Sequence, residues 1–275
     1  MKRILLVLAT MAAAVLLATG MASAITYGQP DGNMHPYVGV VVLADEQGEF
    51  GNCTGTLIAP DVVVTAAHCT WFVGQFGVEL RGVTFDNVYD PGTSVVYPGT
   101  LHVHPDFSGP LSSAFNNSFL GIGAHANDIA VIVLDEEVAD IPPASLPSAG
   151  LLDQMAKDGE LKGQSFTVVG YGVTELTHEP GSGAPVFGEF GTRMYSVSSF
   201  SALNQGYLRL FQNPSTGDSG ACYGDSGGPN FLGDSRVIAS IGGLKGDIRC
   251  RAMNSTYRLD TPSARAFLGQ FVTLP

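Results

Sequence analysis

Residues 222–229 read CYGDSGGP. Gly224, Gly227 and Gly228 crowd around Asp225 and Ser226. A serine hydroxyl is a poor nucleophile until a neighbouring imidazole takes its proton. That imidazole in turn needs a carboxylate to hold its tautomer and stabilise its charge. Glycines on either side of such a serine let backbone N–H groups approach the point where an oxyanion would form. The stretch therefore asks for a histidine and an acid elsewhere in the chain. Two segments supply them: residues 65–69 read TAAHC, with His68, and residues 127–134 read NDIAVIVL, with Asp128. Singly, each is an ordinary strand-end or turn pattern. Together they present His68, Asp128 and Ser226 in the order His, Asp, Ser.

That order separates classes of hydrolase. Residues 224–228, GDSGG, formally match G-x-S-x-G, but the fold that uses this elbow needs its histidine after the serine. The last histidine is His178. A subtilisin-like order would need an acid ahead of His68, such as Asp45 or Asp61, together with a parallel sheet, which nothing here suggests. A second GDSG occurs at 217–220, but Ser219 lacks the following Gly-Pro and reads as a loop residue.

Outward from these motifs the chain reads as all-β. Gly and Pro number 35 and 16 of 275 residues, which is turn chemistry for many short strands. Apolar, β-branched runs recur at Val38–Leu43, Val62–Thr65, Ile129–Leu134, Ser165–Val169, Tyr207–Phe211 and Val237–Ile241. Residues 141–150, IPPASLPSAG, resemble a linker between two halves, and residues 108–125 a long surface loop. One helix is expected, at the C-terminus. Thr261 fits an N-cap and Pro262 the first helical position, and Ala264, Phe267, Leu268 and Phe271 follow on one face.

The ends and the charges bound the setting. Lys2 and Arg3, an apolar run from Ile4 to Ala18 and Ala22-Ser23-Ala24 have the form of a signal peptide over residues 1–24. The run is shorter than the roughly 18 to 20 residues a membrane helix needs. The expected protein is secreted, with no membrane association after cleavage. A net charge of −12 argues against nucleic acid as a partner. Export permits disulfides. Cys53, Cys69, Cys222 and Cys250 allow three pairings, of which 53–69 with 222–250 closes the short loops. No pair has the CxxC spacing that zinc sites favour, and no cofactor is expected. His102 and His104 are better read as turn or surface residues than as metal ligands.

With TAAHC and GDSGGP in hand, the chain resembles the trypsin/chymotrypsin-type serine proteases, of the secreted bacterial sort, over essentially everything after residue 24. The resemblance implies two six-stranded antiparallel β-barrels, spanning 25–145 and 146–275, with the site in the cleft between them. It implies the pairings Cys53–Cys69 and Cys222–Cys250. It makes His68 the general base, Asp128 its orienter, Ser226 the nucleophile of an acyl-enzyme mechanism, and the N–H groups of Gly224 and Ser226 the oxyanion hole. Ser240-Ile241-Gly242 matches the strand that pairs with substrate, Ile241 replacing the usual tryptophan. Gly220, Ala221 and Ser255 fall at the specificity pocket, with Gly220 where trypsins carry an aspartate. That implies cleavage after uncharged residues, with Asp218 the one nearby acid. His104-Pro105 and Val169-Gly170-Tyr171-Gly172 match further recurrent segments. Cleavage after Ala24 would free Ile25 to pair with Asp225, although Ile-Thr-Tyr-Gly stands where Ile-Val-Gly-Gly is usual. The implied partners are protein or peptide substrates, and the implied state is a monomer. A protease-like binding protein of low activity and an esterase on the same fold are the alternatives.

Overall fold

The computed structural model describes residues 25, 27–107, 127–173, 175–178, 185–188, 190–243 and 250–275. The expected leader and the Ser/Asn/Gly-rich segment at 108–125 lie outside them.

The elements run β1 Gln29–Pro30, β2 Val38–Asp45, β3 Gly48–Ala59, β4 Val62–Thr65, β5 Glu79–Thr84, β6 Gly99–Val103 and β7 Ala130–Leu134. There follow α1 Leu151–Asp158, β8 Ser165–Gly170, β9 Glu175–His178, β10 Pro185–Phe187, β11 Met194–Leu203 and β12 Tyr207–Phe211. The chain ends with β13 Pro229–Leu232, β14 Ile238–Ile241, β15 Met253–Arg258 and α2 Pro262–Leu268. The β-branched runs read from the sequence match strands to within one or two residues at each end. Side chains such as Val40, Val41, Val42 and Leu43 are buried on both faces of β2, which is why that run is continuous rather than alternating.

Two antiparallel sheets result. The first has the order β5-β2-β3-β4-β7-β6. Its outer strands meet through a single bridge, where Val83 and Tyr97 exchange backbone hydrogen bonds of 2.9 and 2.8 Å. Among the described residues β5 and β6 are not paired beyond that bridge, so this barrel stays half open. The second sheet has the order β1-β11-β12-β15-β14-β13-β8, and an additional β8–β11 pairing closes six of its strands into a ring. The seventh strand, β1, is one departure from six and six. It carries the start of the described chain onto β11, Gln29 opposite Tyr195 and Pro30 opposite Met194. β9 and β10 form a separate hairpin.

The C-terminal helix forms as read: the Thr261 hydroxyl accepts from Ala264 N–H at 3.3 Å, Pro262 opens the first turn, and Ala264, Phe267 and Leu268 are buried. Helix α1 is a correction, because the sequence was expected to hold only one helix. Its first turn is capped from a distance. Asp260 Oδ2 accepts from Leu152 N–H at 2.8 Å, and the Asp260 carbonyl accepts from Gly150 N–H at 2.9 Å. Residues 141–150 lead directly into this helix and are pinned on the way. Ser145 bridges to Val237, and Arg236 donates to the carbonyls of Pro142 and Pro143.

Candidate active site

β4 and β7 are neighbours, with Thr65 opposite Ala130. The turn that follows β4 therefore meets the residues that precede β7. His68 lies on that turn, a single 3-10 loop over Ala67–Cys69, and Asp128 lies two residues before β7. Asp128 Oδ1 accepts from His68 N–H at 2.9 Å, and Asp128 Oδ2 faces His68 Nδ1 at 2.7 Å. The carboxylate is 2% exposed and the imidazole 20%, so the acid is sealed and the base opens to solvent. Burial, and then the Asp128 charge, raise the Tyr207 phenol above its usual range.

The serine loop approaches from the second sheet. The Ser226 carbonyl accepts from Thr54 N–H at 2.9 Å, and Cys69 Sγ lies 3.7 Å from the same oxygen. Two glycines here are obligatory. A Cβ on Gly227, at φ +78°, would lie 2.7 Å from Ala66 N. One on Gly224, at φ +96°, would lie 2.6 Å from the Phe190 ring. Within the loop the N–H groups of Asp225, Gly227 and Gly228 are spent on the carbonyls of Cys222, Gly242 and Asp225. Those of Gly224 and Ser226 have no acceptor among the described residues. They are the pair expected at an oxyanion hole.

Thr54 organises this loop and was not singled out in the sequence. Fully buried, it donates from Oγ1 to the Gly224 carbonyl at 2.9 Å and accepts from Tyr171 N–H at 3.3 Å, while its own carbonyl accepts from Thr65 Oγ1 at 2.8 Å. A threonine in a β-rich run carries no local sign of that role. The two disulfides brace the same region: Cys53–Cys69 joins β3 to the histidine turn, and Cys222–Cys250 joins the serine loop to the approach to β15.

Asp225 is 1% exposed; its Oδ1 accepts from Gly172 N–H at 2.7 Å and its Oδ2 from Cys222 N–H at 2.6 Å. Ile25 is fully buried against Met194, and its N–H points to the Gly172 carbonyl at 3.2 Å. The two expected partners thus meet on one residue, Gly172.

The expected pocket residues distribute unevenly. Gly220 and Ala221 are buried, and Ser255 is half-buried. Ser240 and Ile241 are fully buried, and the Ser240 hydroxyl lies 2.7 Å from that of Thr256. Gly242 ties this strand to the serine loop, donating to the Gly228 carbonyl at 2.6 Å. Asp218 is committed elsewhere, its carboxylate accepting from Ser199 N–H and Thr216 Oγ1, both at 2.8 Å. Ser219 donates to the Val197 carbonyl on β11. His102 packs on Phe271 and His104 on Phe267. Cys53, His68 and Cys69 cluster as donor atoms, but both sulfurs are in the disulfide and one imidazole is left to offer.

A two-sheet β fold with this arrangement defines a serine endopeptidase, a hydrolase. The family model described as Trypsin matches residues 28–265, and the chain belongs to that family. It is 30% identical over 200 residues to human granzyme M, covering 69% of this chain and 67% of the relative. It is 28% identical over 221 residues to a trypsin of Saccharopolyspora erythraea, covering 76% and 83%. A solved structure titled HL collagenase superposes with a TM-score of 0.62 at 19% identity, covering 91% of this chain and 97% of the other, a likeness of fold.

Proposed function

We propose that the chain is an exported endopeptidase that cleaves protein or peptide substrates after uncharged residues through an acyl-enzyme. The observation that carries this reading is the pair of bonds from Asp128 to His68, 2.9 and 2.7 Å, beside a serine loop with two uncommitted N–H groups. Asp128 fixes the proton on Nδ1 and leaves Nε2 to take the Ser226 proton. Ser226 Oγ attacks the carbonyl carbon, and the N–H groups of Gly224 and Ser226 hold the developing oxyanion. The His68 imidazolium then protonates the leaving amine. Water, deprotonated in turn by His68, releases the acid and restores Ser226. Asp128 carries the negative charge opposite the imidazolium at its peak.

Gly220 at the pocket base offers a cationic side chain no counter-charge, and an unpaired buried charge is costly. Ala221 and Ser255 flank it, and Ser240–Gly242 would align the substrate backbone. Residues 1–24 would direct export, and their removal would leave Ile25 to pair with Asp225 in a monomeric enzyme. No helix among the described residues is long and apolar enough to cross a membrane.

The test is hydrolysis of a peptide library by the secreted protein. Ser226→Ala and His68→Ala should each lower kcat by on the order of 10⁶, and the double variant should be little worse than either. Peptidase activity unchanged in Ser226→Ala would refute the reading.

A further inference from the structure

We propose that Arg193 is a positioning residue that holds the amino-terminal segment where Ile25 can reach Asp225. The inference rests on the activation pair proposed above and identifies the device that keeps it assembled. Arg193 and Arg258 are the largest fully buried side chains among the described residues. A guanidinium is not buried without partners, because stripping it of water is expensive. Its donors go to three separate parts of the chain. Nε donates to Asp31 Oδ2 at 3.0 Å and Nη2 to Asn33 Oδ1 at 2.6 Å, both on the segment that follows Ile25. Nη1 donates to the carbonyls of Val38, at the start of β2, at 3.1 Å and Phe85, just after β5, at 3.0 Å. Nη1 also lies 3.0 Å from the hydroxyl of Tyr171.

The two arms converge. Tyr171 precedes Gly172, whose N–H holds Asp225 and whose carbonyl receives Ile25 N–H. On the other side, Asp31 N–H donates to the Arg193 carbonyl at 3.1 Å, β1 pairs with Met194 and Tyr195, and Met194 is the apolar partner of Ile25. Asp31 lies six residues after Ile25. A short tether anchored at one end gives the other end a high effective concentration at its site, and an unanchored terminus frays. The clasp on Asp31 and Asn33 thus sets how often the Ile25 ammonium is found at Asp225. His35 adds to the same anchor, its N–H donating to Asp31 Oδ2 at 3.0 Å and its Nδ1 lying 2.5 Å from Oδ1. Burial pushes the Asp31 carboxyl up, and the bonds and charges of His35 and Arg193 outweigh it, so the carboxyl is held below its usual range.

The readout is the alkaline limb of activity in the enzyme that begins at Ile25. Docking raises the amine pKa above its free value, about 7.7 to 8.0, and the docked state is lost as pH rises through the raised value. Each tenfold loss of docking moves the midpoint down by about one pH unit. The charged and titratable groups packed around the segment are Asp225, Asp31, Arg193, Tyr171 with Asp86 nearby, His35 with Tyr37 and Tyr195 against it, Arg236 over Tyr37, and Tyr27 with Arg251 across its ring.

Arg193→Met should lower the alkaline midpoint by about one unit or more while activity near pH 6 is largely kept. Asn33→Ala, which removes a single bond, should lower it by a fraction of that, and it serves if Arg193→Met does not fold. A midpoint that stays put in whichever of these variants folds, with a normal alkaline loss in the parent, overturns this inference alone. A parent enzyme with no alkaline loss overturns the activation pair and this inference with it.

Discussion

Asp128 binds His68 twice: one oxygen accepts the backbone N–H of His68 at 2.9 Å and the other faces its Nδ1 at 2.7 Å. The first bond fixes where the carboxylate stands. The second fixes which ring nitrogen carries the proton. Asp128→Asn should keep the backbone bond through its amide oxygen and turn an NH₂ toward Nδ1, which then must accept. The proton moves to Nε2, and the base proposed for Ser226 is lost. We expect kcat to fall by about 10⁴ with KM little changed, measured on a single peptide substrate. A fall below tenfold would show that His68 does not work through this carboxylate.

Gly220 cannot simply be exchanged for an acid. A Cβ there would lie 2.8 Å from both Cβ and Oε1 of Gln212 and 3.1 Å from Ser198 Oγ. Gln212 is fully buried, and neither atom of its amide has a partner among the described residues. Gly220→Asp alone should therefore fail to install cleavage after Arg or Lys. Gly220→Asp with Gln212→Gly, which removes both of those Gln212 atoms, should raise the kcat/KM ratio of an Arg substrate over a Leu substrate by about tenfold or more, as expected from pairing a buried charge. Kinetics on the matched pair decide it; an Arg preference in the single variant would place the pocket base elsewhere.

His104 should make stability depend on pH near neutrality. It is 6% exposed, packed at a tilt against Phe267, with Nε2 3.3 Å from Ser263 Oγ. Burial lowers its pKa, against an opposing pull from Asp106 and Ser263. The unfolded chain, with a histidine near 6.5, then binds a proton that the folded one refuses. Stability should decline as pH falls below about 6.5 and level off once the folded pKa is passed. Urea unfolding at about pH 7.5 and about pH 5 should show the decline in the parent, and His104→Gln should remove that histidine's share. An equal decline in His104→Gln would assign it to other groups.

The proposed pairing of Ile25 with Asp225 should be sensitive to a single residue. Ile25 is fully enclosed, so an added alanine in front of it would carry the ammonium away from Asp225. The extended form should lose most of its activity at every pH while keeping the fold by circular dichroism. Full activity in the extended form, or a mature start well downstream of Ile25, would rule out activation by this route.

Helix α1 shows where local reading stops. Leu152 and Met155 bury one side of it, but Gly150 stands at its N-cap in a left-handed conformation with no side chain to cap the turn. The cap is Asp260, and Asp260 is itself held by Arg258, whose Nε donates to Oδ1 and Nη2 to Oδ2, both at 2.9 Å. Burial alone would lower the Arg258 pKa, and Asp260 and Asp153 reverse the effect and raise it. Helix α2 carries its own cap, Thr261, three residues before the N–H that it accepts, and so announces itself.

The sequence by itself determined the strands, whose apolar runs are a local pattern, and nominated His68, Asp128 and Ser226, each inside a short motif that needs no knowledge of the rest. It also placed the last helix, while the short-loop disulfide pairing was one of three open ones until the resemblance to a known family implied it. The tertiary structure decided the rest: that β4 and β7 lie side by side and bring His68 onto Asp128, that Thr54 clamps the serine loop, that Gln212 blocks Gly220, and that Arg193 joins Asp31 to Tyr171. All but the Gln212–Gly220 contact join residues far apart in the chain, and a buried arginine, glutamine or threonine looks locally like any surface residue of its kind. Its partner exists only once the strands have paired.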